Sequence, residues 1–473
     1  MMESQNSSLE LQQVLQTMKR AHLTNGPANM ELRQDRLLRS INLIRNNYQR
    51  FTAAMNADFG HRSAYQSQVA DLASTMKMLQ HAYENVSSWM EVTHIDAPVP
   101  GMQTRIQHQP LGVVGVISPW NFPVNLAFGP LAGVFAAGNT AMLKPSELTP
   151  HTSELLAELV GATFGPEELQ VVLGDADVGQ AFSGLPFDHL VFTGSTAVGK
   201  HVMRAAAENL VPVTLELGGK SPVMIDTDAD IVDAVEKTLT VKTFNVGQIC
   251  LSPDYVLLPE NKLSDFVEAS KSFVNKTFPS IVNNPDYTSI INARHYQRLL
   301  GLLNDAENKG AKIICLAPEG EAPYNDESRT IAPHLVIGVN DQMAIMQEEI
   351  FGPLLPIKTY TDRLDAIAYI NANARPLAAY YFGNYATNQQ HFADHTTSGG
   401  LVINDVMTHV SIDSLPFGGV GHSGIGAYHG VHGFKQFSHA KPVVIQSTTN
   451  TAISPLRAPY AEKQIAIEAL FKG

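Results

Sequence analysis

The stretch LGVVGVIS at positions 111–118 decides the class of fold, because it is an unbroken apolar run. Such a run is expected of a strand in a sheet that is covered on both faces. Further strand-like runs follow it at 140–144, 169–175, 188–194 and 212–219. Helix-like runs separate most of them, for example at 150–161 and 197–209. Strands that alternate with helices predict a doubly wound parallel sheet, which binds ligands at the carboxyl ends of its strands.

Outward from this region, a second α/β stretch begins near residue 218 and ends in the glycine-rich segment PFGGVGHSGIG at 416–426. Before the first sheet, apolar stripes at 37–51 and 72–90 have helical spacing, and we interpret both as core packing without chemistry. The segment 94–110 is polar, alternating and interrupted by prolines. It predicts an extended ribbon with a turn, either an edge strand or a hairpin that reaches another subunit.

One cysteine lies in a position suited to chemistry. The segment KTFNVGQICLSPDY at 242–255 places Cys250 between a helix-like run and a strand-like run, where a side chain can face a cleft. A lone cysteine is more often a small buried apolar residue, and a thiol needs help from its surroundings before it becomes a nucleophile. The other cysteine, Cys315, lies in the apolar run AKIICLAP and is predicted to be an inert core residue.

Composition excludes several classes of function. The 473 residues suggest two or three domains, and the net charge of −13 (32 basic minus 45 acidic residues) argues against non-specific nucleic-acid binding. Two cysteines provide neither a disulfide framework nor a metal site, so no metal is expected. The polar start is not typical of a signal peptide, and no apolar run reaches the roughly 18 residues of a membrane span. A cytoplasmic protein without a membrane partner is the expectation.

Several short segments that contain glycine or proline occur in a characteristic order: PWNFP (119–123), KPSE (144–147), FTGSTAVGK (192–200), ELGGKSP (216–222), GQIC (247–250), EEIFGP (348–353) and PFGGVGHSG (416–424). Together they resemble the aldehyde dehydrogenase superfamily over about residues 110–440. The segments GQICLSPDY, LPFGGVGHSGIGAYHG and FSHAKP look more like the class 3 branch and the coniferyl aldehyde dehydrogenases than like the class 1 and 2 enzymes.

The resemblance implies a mechanism and the residues for it. An aldehyde cannot release hydride until a nucleophile has added to it, and the family motif gives that role to Cys250. Asn121 and the Cys250 backbone N–H would bind the oxyanion. Glu216 would be the base that activates water to hydrolyse the thioester. The alternatives are that Asn121 is only a turn residue before a proline and that Glu216 only caps the next element.

The resemblance also implies NAD as the cofactor, with NADP possible. No GxGxxG motif follows the first strand, but Gly194, Ser195 and Gly199 open a helix whose first amides can face a pyrophosphate. Lys144 and Glu147 match the family's adenosine-ribose contacts, and a glutamate there would repel a 2′-phosphate. Glu349 and Phe351 match its nicotinamide-ribose contacts.

The implied substrate is a small aldehyde, either aromatic of the coniferyl type or aliphatic of medium length. Phe122 and Phe417 would line its apolar pocket, although both could be plain core residues. The implied fold has two doubly wound parallel-sheet domains and a small β-ribbon for oligomerisation. Residues 1–93 and 111–217 would form the dinucleotide-binding domain, and 218–436 the catalytic domain. Residues 94–110 and 437–473 would form the ribbon and the tail of a homodimer.

Three other functions remain open from the sequence. A CoA-acylating dehydrogenase would resolve the thioester with CoA, but such relatives often lack the base at the position of Glu216. A non-catalytic structural homologue would not need the nucleophile, base and oxyanion donor that are all present. A thiol hydrolase without redox chemistry would produce no NADH.

Overall fold

The computed structural model describes residues 2–98, 100–448 and 456–472. Its strands are β1 (Thr93–Ile95), β2 (Gln103–Pro110), β3 (Val113–Ile117), β4 (Thr140–Lys144), β5 (Leu169–Val171), β6 (His189–Thr193), β7 (Val213–Glu216), β8 (Ser221–Ile225), β9 (Pro253–Pro259), β10 (Lys312–Cys315), β11 (Tyr324–Asn325), β12 (Thr330–Ile331), β13 (His334–Ile337), β14 (Leu354–Tyr360), β15 (Ala378–Phe382), β16 (Gly400–Ile403), β17 (Gly424–Ile425) and β18 (Ser438–Ile445).

The α-helices are α1 (Met2–Asn25), α2 (Met30–Asn46), α3 (Tyr48–Phe59), α4 (Ala64–Gln66), α5 (Ser74–Trp89), α6 (Asn125–Ala136), α7 (Pro150–Thr163), α8 (Ala176–Ser183), α9 (Thr196–Ala207), α10 (Ile231–Thr243), α11 (Leu263–Thr277), α12 (Ala293–Asn308), α13 (Ala344–Gln347), α14 (Arg363–Ala372), α15 (Ala386–His395), α16 (Gly430–Gln436) and α17 (Ala461–Leu470). A π-helical turn joins α4 to α5 at Ser67–Ala73, and short 3₁₀ turns lie at Phe244–Gly247, Glu260–Lys262 and Thr408–Ser411.

The first large sheet has the strand order β17-β7-β6-β3-β4-β5, and every pair in it is parallel except β17 with β7. Adjacent residues of one strand point to opposite faces. Val113 therefore packs in the core against α1, α8 and α9, whereas Val114 packs in the core on the other face with α2, α5 and α6. Both faces are covered by helices, so the predicted doubly wound α/β class is confirmed.

The second large sheet has the order β10-β13-β14-β9-β8-β15-β16 and is parallel except for β10 at its edge. Strand β8 starts four residues after β7 ends, so the chain passes directly from one large sheet to the other. It later returns, because β17 pairs with β7 and places Gly424 opposite Glu216. The carboxyl ends of β3, β6 and β7 consequently face the loops of the second sheet.

The extended ribbon with a turn at 94–110 is present, because β1 and β2 pair antiparallel within it. Strand β2 lies in the middle of a three-stranded antiparallel sheet, between β1 and β18. Of the two alternatives, the edge strand does not apply to β2, because β18, which begins at Ser438, supplies its second partner from the far end of the sequence. The open edges of this sheet are therefore those of β1 and β18. A hairpin that reaches another subunit stays a prediction.

Two other details of the sequence interpretation were wrong. Cys315 is exposed rather than a core residue, because it ends β10, the edge strand of its sheet. Tyr48 belongs to the first apolar stripe but starts a new helix, and its side chain is exposed. The remaining members of that stripe, Leu37, Ile41, Ile44 and Phe51, are buried.

Candidate active site

Cys250 follows a backbone turn that is unfavourable for most residues. Helix α10 begins at Ile231, capped by the Asp230 side chain, and ends at Thr243. Asn245, Val246 and Gly247 then have φ angles of 47°, 53° and 70° in succession. A left-handed conformation is unusual for any residue with a side chain and strained for a β-branched one such as Val246. This turn ends α10 abruptly and brings Cys250 to the wall of a cavity.

The loop that carries Asn121 is hydrogen-bonded to this turn. The Asn121 Nδ2 donates to the backbone carbonyl of Gln248 at 3.1 Å. In the other direction, the Asn245 Nδ2 donates to the backbone carbonyl of Asn121 at 3.3 Å. The Gln248 side chain fixes the same turn from behind, since its Oε1 accepts from the Ile291 N–H at 3.0 Å. The structure therefore brings Asn121 and the segment of Cys250 together.

Glu216 lies at the end of β7 and is buried. Among the residues that the structure describes, neither oxygen of its carboxyl group has a hydrogen-bond partner. Its pKa is raised well above the usual value for a glutamate because burial disfavours the charged form. The carboxyl group is thus a weaker acid, and its carboxylate a stronger base, than that of an exposed glutamate.

The thiol of Cys250 is perturbed in the same direction. Burial raises the pKa of Cys250 to about 12, and the nearby carboxyl groups of Glu349 and Glu216 add to the shift. Burial also raises the pKa of Glu349 to about 8. Perturbed groups that cluster at a cavity are typical of functional sites.

Two cavities meet at these groups. A larger one of about 480 Å³ is lined mainly by apolar and aromatic side chains, and a second one of about 280 Å³ lies beside it. The residues that line both are Leu126, Thr193, Glu216, Leu217 and Cys250. A molecule in either cavity can therefore approach the same thiol and the same carboxyl group.

The predicted substrate residues Phe122 and Phe417 both line the larger cavity. Its wall also includes side chains that we did not predict from the sequence: Tyr65, Val69, Met78, Phe244, Met407, Val410, Tyr428 and His429. Tyr428 and His429 directly follow the glycine-rich segment, so their position in the chain was a usable signal. The others come from helices and loops whose proximity only the fold reveals.

The predicted cofactor residues divide into two groups. Gly194, Ser195, Glu349 and Phe351 line the smaller cavity. Gly199 does not line it but lets α9 approach closely, since a Cβ atom there would lie 2.7 Å from Leu217. Lys144 and Glu147 line neither cavity and form an ion pair of 3.3 Å with each other after β4.

The smaller cavity is also lined by Trp120, from the PWNFP segment, and by His295 and Arg298, which had no signal in the sequence. The ring of Trp120 packs edge-on against Phe351 and lies 5.3 Å from the ring of His295. Burial lowers the pKa of His295 to about 4, so this imidazole is neutral at physiological pH. Arg298 lines the same cavity and donates to the backbone carbonyl of Glu349.

Residues of this cavity fit a dinucleotide. Helix α9 starts directly after Ser195, whose Oγ accepts from the Val198 N–H, and Gly194 precedes it. Gly218 provides room for an acidic neighbour, because a Cβ atom there would lie 2.0 Å from the Glu349 Oε2.

Over the described residues, no three His, Cys, Asp or Glu side chains are grouped as a metal site. No helix in those ranges is long and apolar enough to cross a membrane.

Comparison with known proteins gives a consistent result. The model of the aldehyde dehydrogenase family matches residues 4–443. The chain is 57% identical over 453 residues to coniferyl aldehyde dehydrogenase of a Pseudomonas species, covering 96% of this chain and 94% of that protein. It is 38% identical to the dimeric NADP-preferring aldehyde dehydrogenase of Rattus norvegicus, covering 88% and 90%.

Among solved structures, the substrate-bound AldH of Staphylococcus aureus superposes with a TM-score of 0.91 at 36% identity, covering 97% of this chain and 99% of that one. The family match spans both large sheets and the turn that carries Cys250. The chain belongs to the aldehyde dehydrogenase family and is an NAD(P)-dependent enzyme that oxidises aldehydes.

Proposed function

We propose that the enzyme converts an aldehyde to its carboxylic acid through a thioester on Cys250, with Glu216 as the general base of thioester hydrolysis. The observation that carries the proposal is that Cys250 and Glu216 line both the apolar cavity and the smaller cavity. A nucleophile and a base at this junction can act on an aldehyde held in one cavity beside a dinucleotide held in the other.

The first half-reaction needs a thiolate and a site for the oxyanion. The Cys250 sulfur adds to the aldehyde carbon, and the Asn121 Nδ2 and the Cys250 backbone N–H stabilise the resulting oxyanion. An amide nitrogen has two hydrogens. Asn121 therefore has one left for the oxyanion while the other stays on the Gln248 carbonyl. When bound, the oxidised nicotinamide supplies a positive charge and accepts the hydride. The product on the protein is a thioester.

The second half-reaction consumes water. Glu216 takes a proton from a water molecule as its oxygen adds to the thioester carbon, and the Cys250 sulfur departs to give the acid. The unpartnered carboxyl oxygens of Glu216 provide the acceptor for that proton. Its raised pKa makes the carboxylate a stronger base than an exposed glutamate once it has ionised.

The test is the Glu216→Gln variant in a stopped-flow measurement of NADH. If Glu216 serves the second half-reaction, the variant should give one stoichiometric burst of NADH and then stall as an acyl-enzyme detectable by mass spectrometry. If it also deprotonates Cys250, the burst itself should slow and recover partly as the pH is raised. Cys250→Ala is the control and should give no burst while still binding NAD. A normal burst followed by normal turnover would exclude Glu216 from both roles.

For the substrate, we propose an aromatic aldehyde of the coniferyl type. The support is the 57% identity to a coniferyl aldehyde dehydrogenase and the aromatic side chains of the larger cavity, among them Phe122, Phe244, Phe417 and Tyr428. Steady-state NADH formation by the wild type tests this proposal. The kcat/KM for 4-hydroxy-3-methoxycinnamaldehyde should exceed the kcat/KM for hexanal, and the reverse order would favour an aliphatic substrate of medium length.

The buried carboxyl group of Glu216 also predicts a dependence of stability on pH. Below about pH 4.5 the group is protonated in both the folded and the unfolded chain. Above this pH the unfolded chain ionises first, so the stability of the folded protein falls until the pH passes the raised folded-state pKa. Glu216→Gln removes this loss, so its Tm relative to wild type should rise as the pH increases above about 4.5, until the pH passes the raised folded-state pKa. The exposed Glu167→Gln should follow the wild type throughout. Parallel curves for Glu216→Gln would contradict the raised pKa.

For the cofactor, we propose a preference for NAD. The Glu147 carboxylate lies after β4, is about half exposed and pairs with the buried Lys144, so it would repel a 2′-phosphate. Glu147→Gln should raise the kcat/KM ratio of NADP to NAD by roughly 5-fold, corresponding to about 1 kcal/mol for one like-charge contact in water. Glu154→Gln on α7 is a matched exposed control. An unchanged ratio in Glu147→Gln would mean that Glu147 does not face this group.

For the assembly, we propose a homodimer formed at the small sheet. Among the described residues, strand β18 pairs with β2 on one side and has no partner on the other, and its Val444 and Ile445 are 61% and 46% exposed. An open edge strand with exposed apolar residues favours pairing with another chain. A related enzyme from Rattus norvegicus is described as dimeric. Light scattering at micromolar concentration should give about twice the 51.4 kDa of one chain, and Val444→Lys should lower this mass. A wild-type monomer would overturn the proposal.

For the cellular location, we propose the cytoplasm. Both cysteines are free thiols, and a thiol nucleophile persists where disulfides are kept reduced. Recovery of the protein in a membrane or secreted fraction on cell fractionation would contradict this location.

A further inference from the structure

The end of α4 and the π-helical turn at Ser67–Ala73 that follows it contact both loops of the active site, through Gln66 and Asp71 respectively. The apolar pattern of this region indicated nothing but core packing. Single π turns inside α-helices are rare and occur often at functional sites. Two polar side chains at this turn, Gln66 and Asp71, are buried and point in different directions.

Gln66 holds the turn that precedes Cys250. Its Oε1 accepts from the backbone N–H of Asn245 at 2.9 Å and from the Thr288 Oγ1 at 3.3 Å. Its Nε2 donates to the backbone carbonyl of Asp286 at 3.0 Å. Both polar atoms of the Gln66 side chain therefore make hydrogen bonds. The Oε1, which accepts from both donors, holds Asn245, the first residue of the turn with a left-handed backbone.

Because the backbone of the turn is strained, the hydrogen bond from the Asn245 N–H to Gln66 helps to keep the turn in its conformation. Residues held in left-handed conformations cost of order 1–3 kcal/mol each and persist only where the surroundings enforce them. Asn245 and Val246 are two such residues in succession, and both are buried. Without an acceptor for its N–H, Asn245 would also leave a backbone donor buried and unpaired, which is unfavourable.

Asp71 holds the loop that follows Asn121. Its Oδ1 accepts from the backbone N–H groups of Val124 and Asn125, at 3.0 and 3.1 Å, where α6 begins. An acidic group at that end of a helix is favourable because of the helix dipole. Its Oδ2 accepts from the Arg62 Nη2 at 2.7 Å, and both side chains of this ion pair are fully buried. The Arg62 guanidinium also lies over the ring of Phe122, in the Asn121 loop.

We propose that Gln66 and Asp71 are positioning residues of the dehydrogenase reaction. Gln66 fixes the backbone turn that presents Cys250, and Asp71 fixes the loop that presents Asn121. The short stretch from Gln66, at the end of α4, to Asp71, in the π turn, thus sets the separation between nucleophile and oxyanion donor without contributing a reacting group. The inference rests on the roles proposed above for Cys250 and Asn121.

Gln66→Leu tests the first arm, because leucine has a similar volume but no acceptor. A misplacement of about 1 Å can cost on the order of 100-fold in rate, so kcat should fall by at least about 10-fold. The Kd for NAD should stay within about 2-fold, because Gln66 does not line the smaller cavity in which NAD is proposed to bind. In a Cys315→Ser background, the rate at which iodoacetamide alkylates Cys250 should also change.

A double-mutant comparison with Asn121 distinguishes a positioning role of Gln66 from an effect on the stability of the whole protein. If Gln66 acts through the geometry between Cys250 and the oxyanion donor, Gln66→Leu should cost less kcat in an Asn121→Ala background than in the wild type. Equal losses in both backgrounds would overturn the role. Gln66→Glu keeps an acceptor for the Asn245 N–H and should recover part of the lost kcat.

Gln34→Leu is the matched control. Gln34 also lies in the helical layer and donates from its Nε2 to a backbone carbonyl, that of Tyr83, but away from the site. The Gln34→Leu variant should have the wild-type kcat, Cys250 alkylation rate and Kd for NAD. If Gln66→Leu does not fold, Thr288→Val removes only the second donor to the Gln66 Oε1 and should produce a smaller fall in kcat with the same coupling.

For the second arm, Asp71→Asn keeps the Oδ1 acceptor for both amides, whereas Asp71→Leu removes it. The asparagine variant should retain at least about 10-fold more kcat than the leucine variant when both are assayed below their Tm. Wild-type kcat in folded Gln66→Leu or Asp71→Leu would overturn the proposal. That result would differ from failure of the proposed function, in which Cys250→Ala itself retains activity.

Discussion

The site depends on a hydrogen bond of 3.1 Å from the Asn121 side chain to the backbone carbonyl of Gln248. The donor belongs to the loop after β3 in one large sheet, and the acceptor to the turn before β9 in the other. The loop with Asn121 extends from the carboxyl end of β3, where parallel sheets bind ligands, whereas the turn with Gln248 lies at the amino end of β9. The reverse bond from Asn245 to the Asn121 carbonyl makes the contact mutual. Two hydrogen bonds therefore hold the Asn121 loop against the turn that precedes Cys250.

This arrangement lowers the stability of the folded protein. The turn before Cys250 contains two left-handed residues with side chains, and Glu216 buries a carboxyl group without a partner among the described residues. Each of these features is unfavourable in a folded protein. The chain tolerates them because they lie at the boundary of two extensive cores that supply most of the burial energy. Strain and desolvation concentrated at one place are typical of active sites, where reactivity and stability oppose each other.

The sequence predicted what depends on local pattern and missed what depends on distant contacts. Strand β3 and helix α10 could be predicted because their apolar runs follow one period and end at turn residues. The central place of β2 could not, since its second partner, β18, lies more than 300 residues away in the chain. The role of Gln66 was equally hidden, because an amide on a core-facing turn has no distinctive neighbours in sequence.

The unpartnered state of Glu216 follows from the strands beside it. Its neighbours in register are Thr193 on β6 and Gly424 on β17. Gly424 has no side chain to offer, and none would fit, since a Cβ atom there would lie 2.3 Å from the Leu215 carbonyl oxygen. The Thr193 Oγ1 also has no hydrogen-bond partner within the described part of the chain, and Thr193 lines both cavities. The glycine-rich segment thus closes the sheet beside Glu216 without neutralising it. Since this carboxyl group has no hydrogen-bond partner among the described residues, it is free to exchange a proton with a molecule inside the cavities, such as the water of the proposed hydrolysis.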